Sequence, residues 1–351
     1  MFAFLTKSRI ISWRWSIILG CAMMMGGCGE KAPNSHQIRV GYFPNITHAQ
    51  ALVGLADGTF QKSLGEEVHI QTFVLNAGPA AIEAVFAGEL DVVYIGPNPA
   101  INGFVKSKGQ ALRIIAGAAS GGAVLVAHPK SGINSVADFP GKRIATPQLG
   151  NTQDIALRYY LKQNNLAPEE QGGTVKVLPM QNADILSGFL QGTLDAAWVP
   201  EPWGARLIRE AEGRLIADER DLWPEKIFPT AVVIVTTRFL QQNPELVKRW
   251  LRAHVEVTQW IQANPDQAKR QINAELDRLT GKPVAAGVLD EAWGRLAVTY
   301  DPLAVPLAAA ASHAFDVGFL GEKMPDLTQL IEIGILNTVL KEKGLAGVSG
   351  S

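Results

Sequence analysis

Two stretches of this chain repeat one pattern, and that echo limits the fold more than any other feature. Residues 82–99 read IEAVFAGELDVVYIGPNP and residues 186–202 read LSGFLQGTLDAAWVPEP. Each holds an apolar, helix-like tail, a Gly-x-Leu-Asp step, a short apolar run with one aromatic, and a Pro-x-Pro turn. Gly88, Leu90, Asp91 and Tyr94 match Gly192, Leu194, Asp195 and Trp198 at a constant offset of 104 residues. Pro97 and Pro99 match Pro200 and Pro202 once one residue is dropped. Gly88 and Gly192 stand where a helix must stop, a position that favours a left-handed residue. Val92–Ile95 and Ala196–Val199 are uniformly apolar, as strands buried on both faces are. The prolines end the strand and turn the chain. A helix–strand unit written twice predicts two similar α/β lobes. The competing explanation is chance likeness of two ordinary helix–strand steps.

The rest of the chain fits that reading. Strands are expected at Ile38–Tyr42, Val68–Leu75, Leu112–Ala116, Arg143–Ala145 and Thr174–Leu178, and helices at Thr47–Leu55, Gly78–Phe86 and Thr152–Gln163. Such alternation implies parallel sheets. After a strongly apolar strand at Ala231–Thr236, Asn243-Pro244-Glu245 and Asn264-Pro265-Asp266 open two helices, with Pro and an acidic residue in the first turn. The C-terminal third is therefore helical. Ala123–Ala127 reads as the chain's way out of the first lobe and Ala231–Thr236 as its way back. Two crossings between α/β lobes make a hinge and a closing clamp. The division is a first lobe of 38–127 plus 231–351 and a second lobe of 128–230.

Ligands of open α/β sheets bind beyond the carboxyl ends of the strands. The loops expected there are 43–48, 76–79, 96–99, 117–122, 146–153 and 200–203, and none contains Lys or Arg. Several run straight into a helix, whose free N–H groups and partial positive charge attract anions. The candidate ligand-binding residues are Phe43, Asn45, His48, Gly78, Asn98, Ser120, Gly121, Asn151, Thr152, Gln153, Glu201 and Trp203. A grip made of neutral donors suits a weakly basic oxyanion such as a sulfonate; strong phosphate capture more often adds Arg. For each single loop, plain helix capping by Asn or Thr competes with ligand binding. Glu201 is read as an acceptor for an amine or a lock on the closed form, Trp203 as a cleft residue, and Trp198 as core, like Tyr94.

The N-terminus carries an address. Lys7, Arg9 and Arg14 precede an apolar stretch, Trp15–Gly27, and then Cys28, the order of a secretory signal peptide. That stretch is shorter than the roughly 20 residues of a comfortable membrane span. The alternative is an anchor helix over 10–27, interrupted by Trp13 and Arg14. A second small-residue box ends at Cys21, but it leaves little apolar core after Arg14, so Cys28 is preferred as the processed cysteine. Residues 1–28 are thus a signal peptide and 29–37 a polar tether. Both cysteines lie in this region, so the body offers no disulfide, thiol nucleophile or cysteine metal site. Without the signal, 29 basic face 33 acidic residues, which is no nucleic-acid footprint.

Three segments together resemble the aliphatic sulfonate, taurine and nitrate binding proteins of ABC importers. They are Ile38-Arg39-Val40-Gly41-Tyr42-Phe43-Pro44-Asn45, the Gly-x-Leu-Asp-x-x-Tyr-Ile-Gly-Pro stretch, and Trp198-Val199-Pro200-Glu201-Pro202-Trp203. The Met25-Gly26-Gly27-Cys28 box resembles a bacterial lipoprotein cleavage site, which would make Cys28 the lipidated first residue of an exported, membrane-anchored protein on the periplasmic side. The resemblance covers Ile38 to about Leu340. It implies the two-lobe periplasmic-binding-protein type II fold with permease and ATPase partners; a monomer without a cofactor is expected. Relatives in this group bind sulfonates, nitrate, bicarbonate, pyrimidine precursors of thiamine, or flavins. A small organic anion, an aliphatic sulfonate or taurine first, is the expected ligand. The pyrimidine relatives often carry a cysteine-rich motif, which is absent here.

Other classes fare worse. Neither a Gly-x-x-x-x-Gly-Lys-Ser/Thr phosphate loop nor a Gly-x-Ser-x-Gly elbow is present. An exported enzyme acting on a small ester or sulfonate remains the rival of another class. The histidines, His36, His48, His69, His128, His254 and His313, show no metal-ligand spacing, so no metal is expected.

Overall fold

The computed structural model describes residues 36–350. The signal peptide, Cys28 and all of the tether up to residue 35 lie outside the described residues, while Gln37, read as tether, already opens the first strand. β1 (Gln37–Tyr42) leads through a 3-10 turn at Ile46–His48 into α1 (Ala49–Ala56) and α2 (Thr59–Leu64). β2 (His69–Val74) leads to α3 (Gly78–Phe86), and β3 (Val92–Ile95) to α4 (Pro97–Lys106). β4 (Leu112–Gly121) runs almost directly into β5 (Ala123–Ala127). Then come β6 (Arg143–Thr146), α5 (Thr152–Gln163), β7 (Lys176–Pro179), α6 (Asn182–Leu190), β8 (Ala196–Pro200), α7 (Trp203–Glu210) and β9 (Arg214–Asp218). Two 3-10 turns, Glu219–Leu222 and Pro224–Lys226, return the chain to β10 (Pro229–Thr236). The remainder is α8 (Thr237–Gln242), α9 (Pro244–Ala263), α10 (Pro265–Thr280), α11 (Ala286–Trp293), β11 (Leu296–Val298), α12 (Ala304–Asp316) and α13 (Gly334–Glu342).

These strands form two sheets, ordered β11-β4-β10-β3-β1-β2 and β7-β6-β8-β5-β9. Each contains a parallel trio, β2-β1-β3 or β7-β6-β8, and the two trios are the same unit. Val40 pairs with Val92 in the first and Ile144 with Ala196 in the second, again 104 residues apart. The repeat reaches further than the sequence echo suggested. Asp91 accepts from the Arg39 backbone N–H and Nε, both at 2.9 Å; Asp195 accepts from the Arg143 backbone N–H at 2.8 Å and Nε at 2.9 Å. The Gly-x-Leu-Asp aspartate thus ties the entry of one strand to the start of its neighbour. Gly88 and Gly192 take the left-handed φ of +73° and +68° that ends the preceding helix.

The sheets are not purely parallel. β10 lies antiparallel between β3 and β4, and β5 lies antiparallel between β8 and β9. Each parallel trio is therefore completed by a strand arriving through a crossing. Ala123–Ala127, assigned from sequence to the first lobe, is hydrogen-bonded into the second sheet, so the crossing sits at Gly121–Gly122. The stretch read as a strand-end loop, 117–122, is strand as far as Gly121. Glycine weakens a strand interior and so reads as a turn, but β10 and the unforeseen β11 hold it extended from both sides.

Helices cover both faces of each sheet. One face of the six-stranded sheet packs on α1, α9, α10 and α13, and the other on α3, α4 and α12. Tyr94 and Trp198, the paired aromatics of the echo, are both fully buried. Tyr94 Oη lies 2.9 Å from His254 Nδ1, and His254 Nε2 lies 2.8 Å from the Gly117 carbonyl. A carbonyl only accepts, so Nε2 carries the proton and Nδ1 accepts from the tyrosine. No helix among the described residues is long and apolar enough to cross a membrane.

Candidate functional site

Five helix starts converge on one cavity where the two sheets face each other. The turn before α1 contributes Asn45, Thr47 and His48. The start of α3 contributes Asn76, Ala77 and Gly78, and that of α4 contributes Gly96 and Pro99. From the second sheet come Asn151, Thr152 and Gln153 at the start of α5 and Asn182 at the start of α6. Phe43, Pro147, Pro200 and Thr230 complete the wall, which contains no Lys, Arg, Asp or Glu. No side chain caps α3, α4 or α6, so the first-turn N–H groups that Pro79, Pro97 and Pro99 leave present are not taken by a cap. The space open to the centre of a water-sized sphere is about 30 Å³.

Two buried polar atoms in this wall have no hydrogen-bond partner among the described residues, Thr152 Oγ1 and Asn182 Oδ1. Buried polar groups are normally paired, so such atoms mark where a ligand or water is needed. His48 adds a neutral donor. Its Nδ1 accepts from the Phe43 N–H at 3.3 Å, which leaves the proton on Nε2. Burial pushes its pKa down to about 3, so the ring stays uncharged at neutral pH. Thr152 can reach the first sheet because position 96 lacks a side chain. A Cβ on Gly96 would stand 2.2 Å from Thr152 Oγ1.

The structure brings together Phe43, Asn45, His48, Gly78, Asn151, Thr152 and Gln153 of the sequence-derived candidates, and it places the others elsewhere. Asn98 is buried, but its Nδ2 donates to the Ala310 carbonyl on α12 at 3.1 Å and is not in the wall. Ser120 and Gly121 lie in β4, paired to β10 and β11, and the Gly121 carbonyl accepts from the Thr230 hydroxyl. Glu201 is fully buried outside the wall, accepts from the Ala205 N–H at 2.9 Å and pairs with Arg295 at 2.8 Å. Burial raises its pKa more than that amide and guanidinium lower it. Trp203 is also outside the wall, and its Nε1 donates to Asn45 Oδ1 at 3.0 Å, linking elements of the two sheets. Asn151 does cap its own helix, accepting from the Asp154 N–H at 2.8 Å. Asn182 and Thr230 were missed. Asn182 follows β7, whose carboxyl end obeys the same strand-end rule as the loops that were used. Thr230 follows no sequence signal, because β10 begins two residues earlier than its apolar run. Among the described residues no group of three or more His, Cys, Asp or Glu is placed to hold a metal.

Known proteins share this architecture. The alkanesulfonate-binding protein of Xanthomonas axonopodis pv. citri, bound to MOPS, superposes with a TM-score of 0.69 at 19% identity, covering 83% of this chain and 96% of that one. The periplasmic nitrate-binding protein of Synechocystis PCC 6803 does so with a TM-score of 0.71 at 14% identity, covering 89% and 90%. The fold is thus that of periplasmic binding proteins, with two sheets, two crossings and a helical C-terminal region. In sequence, a Brucella abortus protein named as a binding protein is 28% identical over 217 residues, 61% of this chain and 63% of its own length. A model described as the NMT1-like family matches residues 31–276.

Proposed function

This chain belongs to the NMT1-like family, and from that premise we propose that it is the extracytoplasmic solute-binding component of an ABC importer. It takes a small organic oxyanion, an aliphatic sulfonate or taurine first, and hands it to a permease driven by an ATPase. The observation that carries this reading is the convergence of five helix starts on a wall without charged side chains. Helix N-termini supply partial positive charge and free N–H groups, so they hold an anion without a counter-ion. Thr152 Oγ1 and His48 Nε2 add neutral donors. Asn182 Oδ1 is an acceptor in the same wall, which suits a ligand with an N–H near its acid group, as taurine has. The small cavity favours a compact ligand over a flavin. The sulfonate and nitrate binders of the same fold support an oxyanion.

The two sheets serve as lobes that divide at Gly122 and within 219–228. Ligand stabilises the closed arrangement, and closure creates the surface the permease recognises. Cys28 carries the lipid that holds the monomer at the membrane.

Thermal-shift screening tests the assignment with taurine, alkanesulfonates, nitrate, bicarbonate, pyrimidines and flavins. A true ligand at a hundred times its Kd stabilises the fold by about 2.7 kcal/mol. A sulfonate response that Thr152→Ala weakens supports the reading. Failure of every oxyanion, with a response to a pyrimidine or flavin instead, overturns the ligand class. Turnover of the sulfonate would replace the transport role by an enzymatic one.

A further inference from the structure

A second cavity lies where α5 meets the returning segment 219–228 and α12. It leaves about 270 Å³ open to the centre of a water-sized sphere, far more than the oxyanion site. Trp198 and Glu219, both buried, form its floor. Tyr159, Tyr160, Trp223 and His313 stand around it. Tyr159 stacks on His313 with ring centres 3.7 Å apart, Trp223 lies 4.9 Å from the same imidazole, and Tyr160 meets Trp198 edge-on at 5.5 Å.

The floor is electrostatically incomplete. Glu219 Oε2 accepts from Trp198 Nε1 at 2.7 Å, yet no Lys or Arg lines the cavity and Glu219 makes no ion pair among the described residues. Glu219 is only 2% exposed. Burial pushes its pKa up to about 7, against the pull of the Trp198 and Trp223 indole hydrogen bonds. Near neutrality the described residues offer this carboxylate no counter-charge except a proton. An isolated buried carboxylate is costly, and such groups are ordinarily paired. The faces of Trp and Tyr attract cations, more strongly when water is excluded, and rings grouped around a hollow are how quaternary ammonium ions are held. The missing charge and the rings call for the same kind of ligand.

We propose that this cavity binds a small organic ammonium ion, held by Tyr159, Tyr160 and Trp223 with Glu219 as its counter-charge. The site is separate from the oxyanion cavity and does not depend on the transport reading. The test is titration of the full chain with choline chloride, followed by tryptophan emission. Its neutral isostere dimethylbutanol, and sodium chloride at equal ionic strength, serve as controls. Choline is expected to saturate and to bind about tenfold or more tighter than the alcohol. Glu219→Gln, which keeps the shape, is expected to abolish that preference while leaving the alcohol's affinity unchanged. Should that variant fail to fold, Trp223→Leu at the cavity wall is expected to weaken choline by about tenfold. Equal binding of choline and the alcohol, no saturation, or undiminished choline affinity in a folded variant overturns the proposal.

Discussion

Asn98 and Thr152 show how little a residue's identity says about what it touches. Both are neutral polar residues in the first turn of a helix that follows a strand, and on sequence they are equivalent candidates. Asn98 spends its amide on the Ala310 carbonyl, whereas the Thr152 hydroxyl stays unpartnered in the cavity wall. Thr152→Ala is therefore expected to weaken ligand binding by about 1–3 kcal/mol, the cost of a lost buried hydrogen bond. Asn98→Ala is expected to lower stability and leave affinity unchanged. Titration calorimetry and urea unfolding of both variants separate the two effects. The buried histidines make a second prediction. Burial lowers His48 to about 3 and His254 to about 4, from 6.5. The unfolded chain then binds more protons than the folded one below about pH 6.5, so stability falls as pH drops through that window. The loss approaches about 1.4 kcal/mol per pH unit for each ring. Glu219, raised to about 7 from 4.5, holds a proton in the folded state over the same window and offsets about one ring's loss. Urea midpoints from pH 7 to pH 4.5 should therefore decline less steeply in the parent than in Glu219→Gln, and a flat profile in Glu219→Gln would contradict the neutral assignment of both rings.

At the scale of elements, the repeat is a strand–helix–strand unit, and its legibility was uneven. Gly-x-Leu-Asp was visible because a helix stop and a buried strand need those residue types in that order. The Arg39–Asp91 and Arg143–Asp195 pairs share its offset, yet they were invisible as pairs. Their partners lie 52 residues apart in sequence and meet only through strand pairing. The starts of α1, α3, α5, α9 and α10 were legible because Pro, Asn and Thr act locally, whereas those of α2, α7, α8, α11, α12 and α13 were not. The short strands β9 and β11 were not seen, since they take their form from the strands they pair with. The approach of α5 to the end of β3 depends on Gly96. Gly96→Ala would put a Cβ 2.2 Å from Thr152 Oγ1. Overpacking of this kind costs about 1–3 kcal/mol. We expect it mainly as lost ligand affinity, because the strain falls on the contact between sheets rather than within either. Calorimetric titration of Gly96→Ala beside its urea unfolding curve distinguishes these outcomes.

Across the whole molecule, the two sheets are joined by more than the crossings. Arg295 pairs with Glu201 at 2.8 Å and with Glu291 at 2.7 Å, and Glu291 also takes Arg209 of α7 at 2.5 Å. Glu201 is fully buried, so Arg295→Ala strands its charge. Loss of one partner of a buried pair costs about 3–5 kcal/mol. A urea midpoint close to the parent's, or an unchanged radius of gyration in solution scattering, would argue against this contact as a clamp on the closed form. Sequence patterns were enough for the two α/β halves, the helical C-terminal region and the ends of α1, α3, α5 and α9. Those features depend on local periodicity, capping and turn chemistry, which neighbours in the chain decide. Long-range packing, by contrast, fixed that β10 and β5 each complete the other half's sheet, that 117–121 is strand, that Glu201 serves an ion pair, and which helix starts share a cavity. Each of those facts rests on groups far apart in sequence that come within bonding distance only after the chain has crossed between sheets, and no local pattern records that crossing.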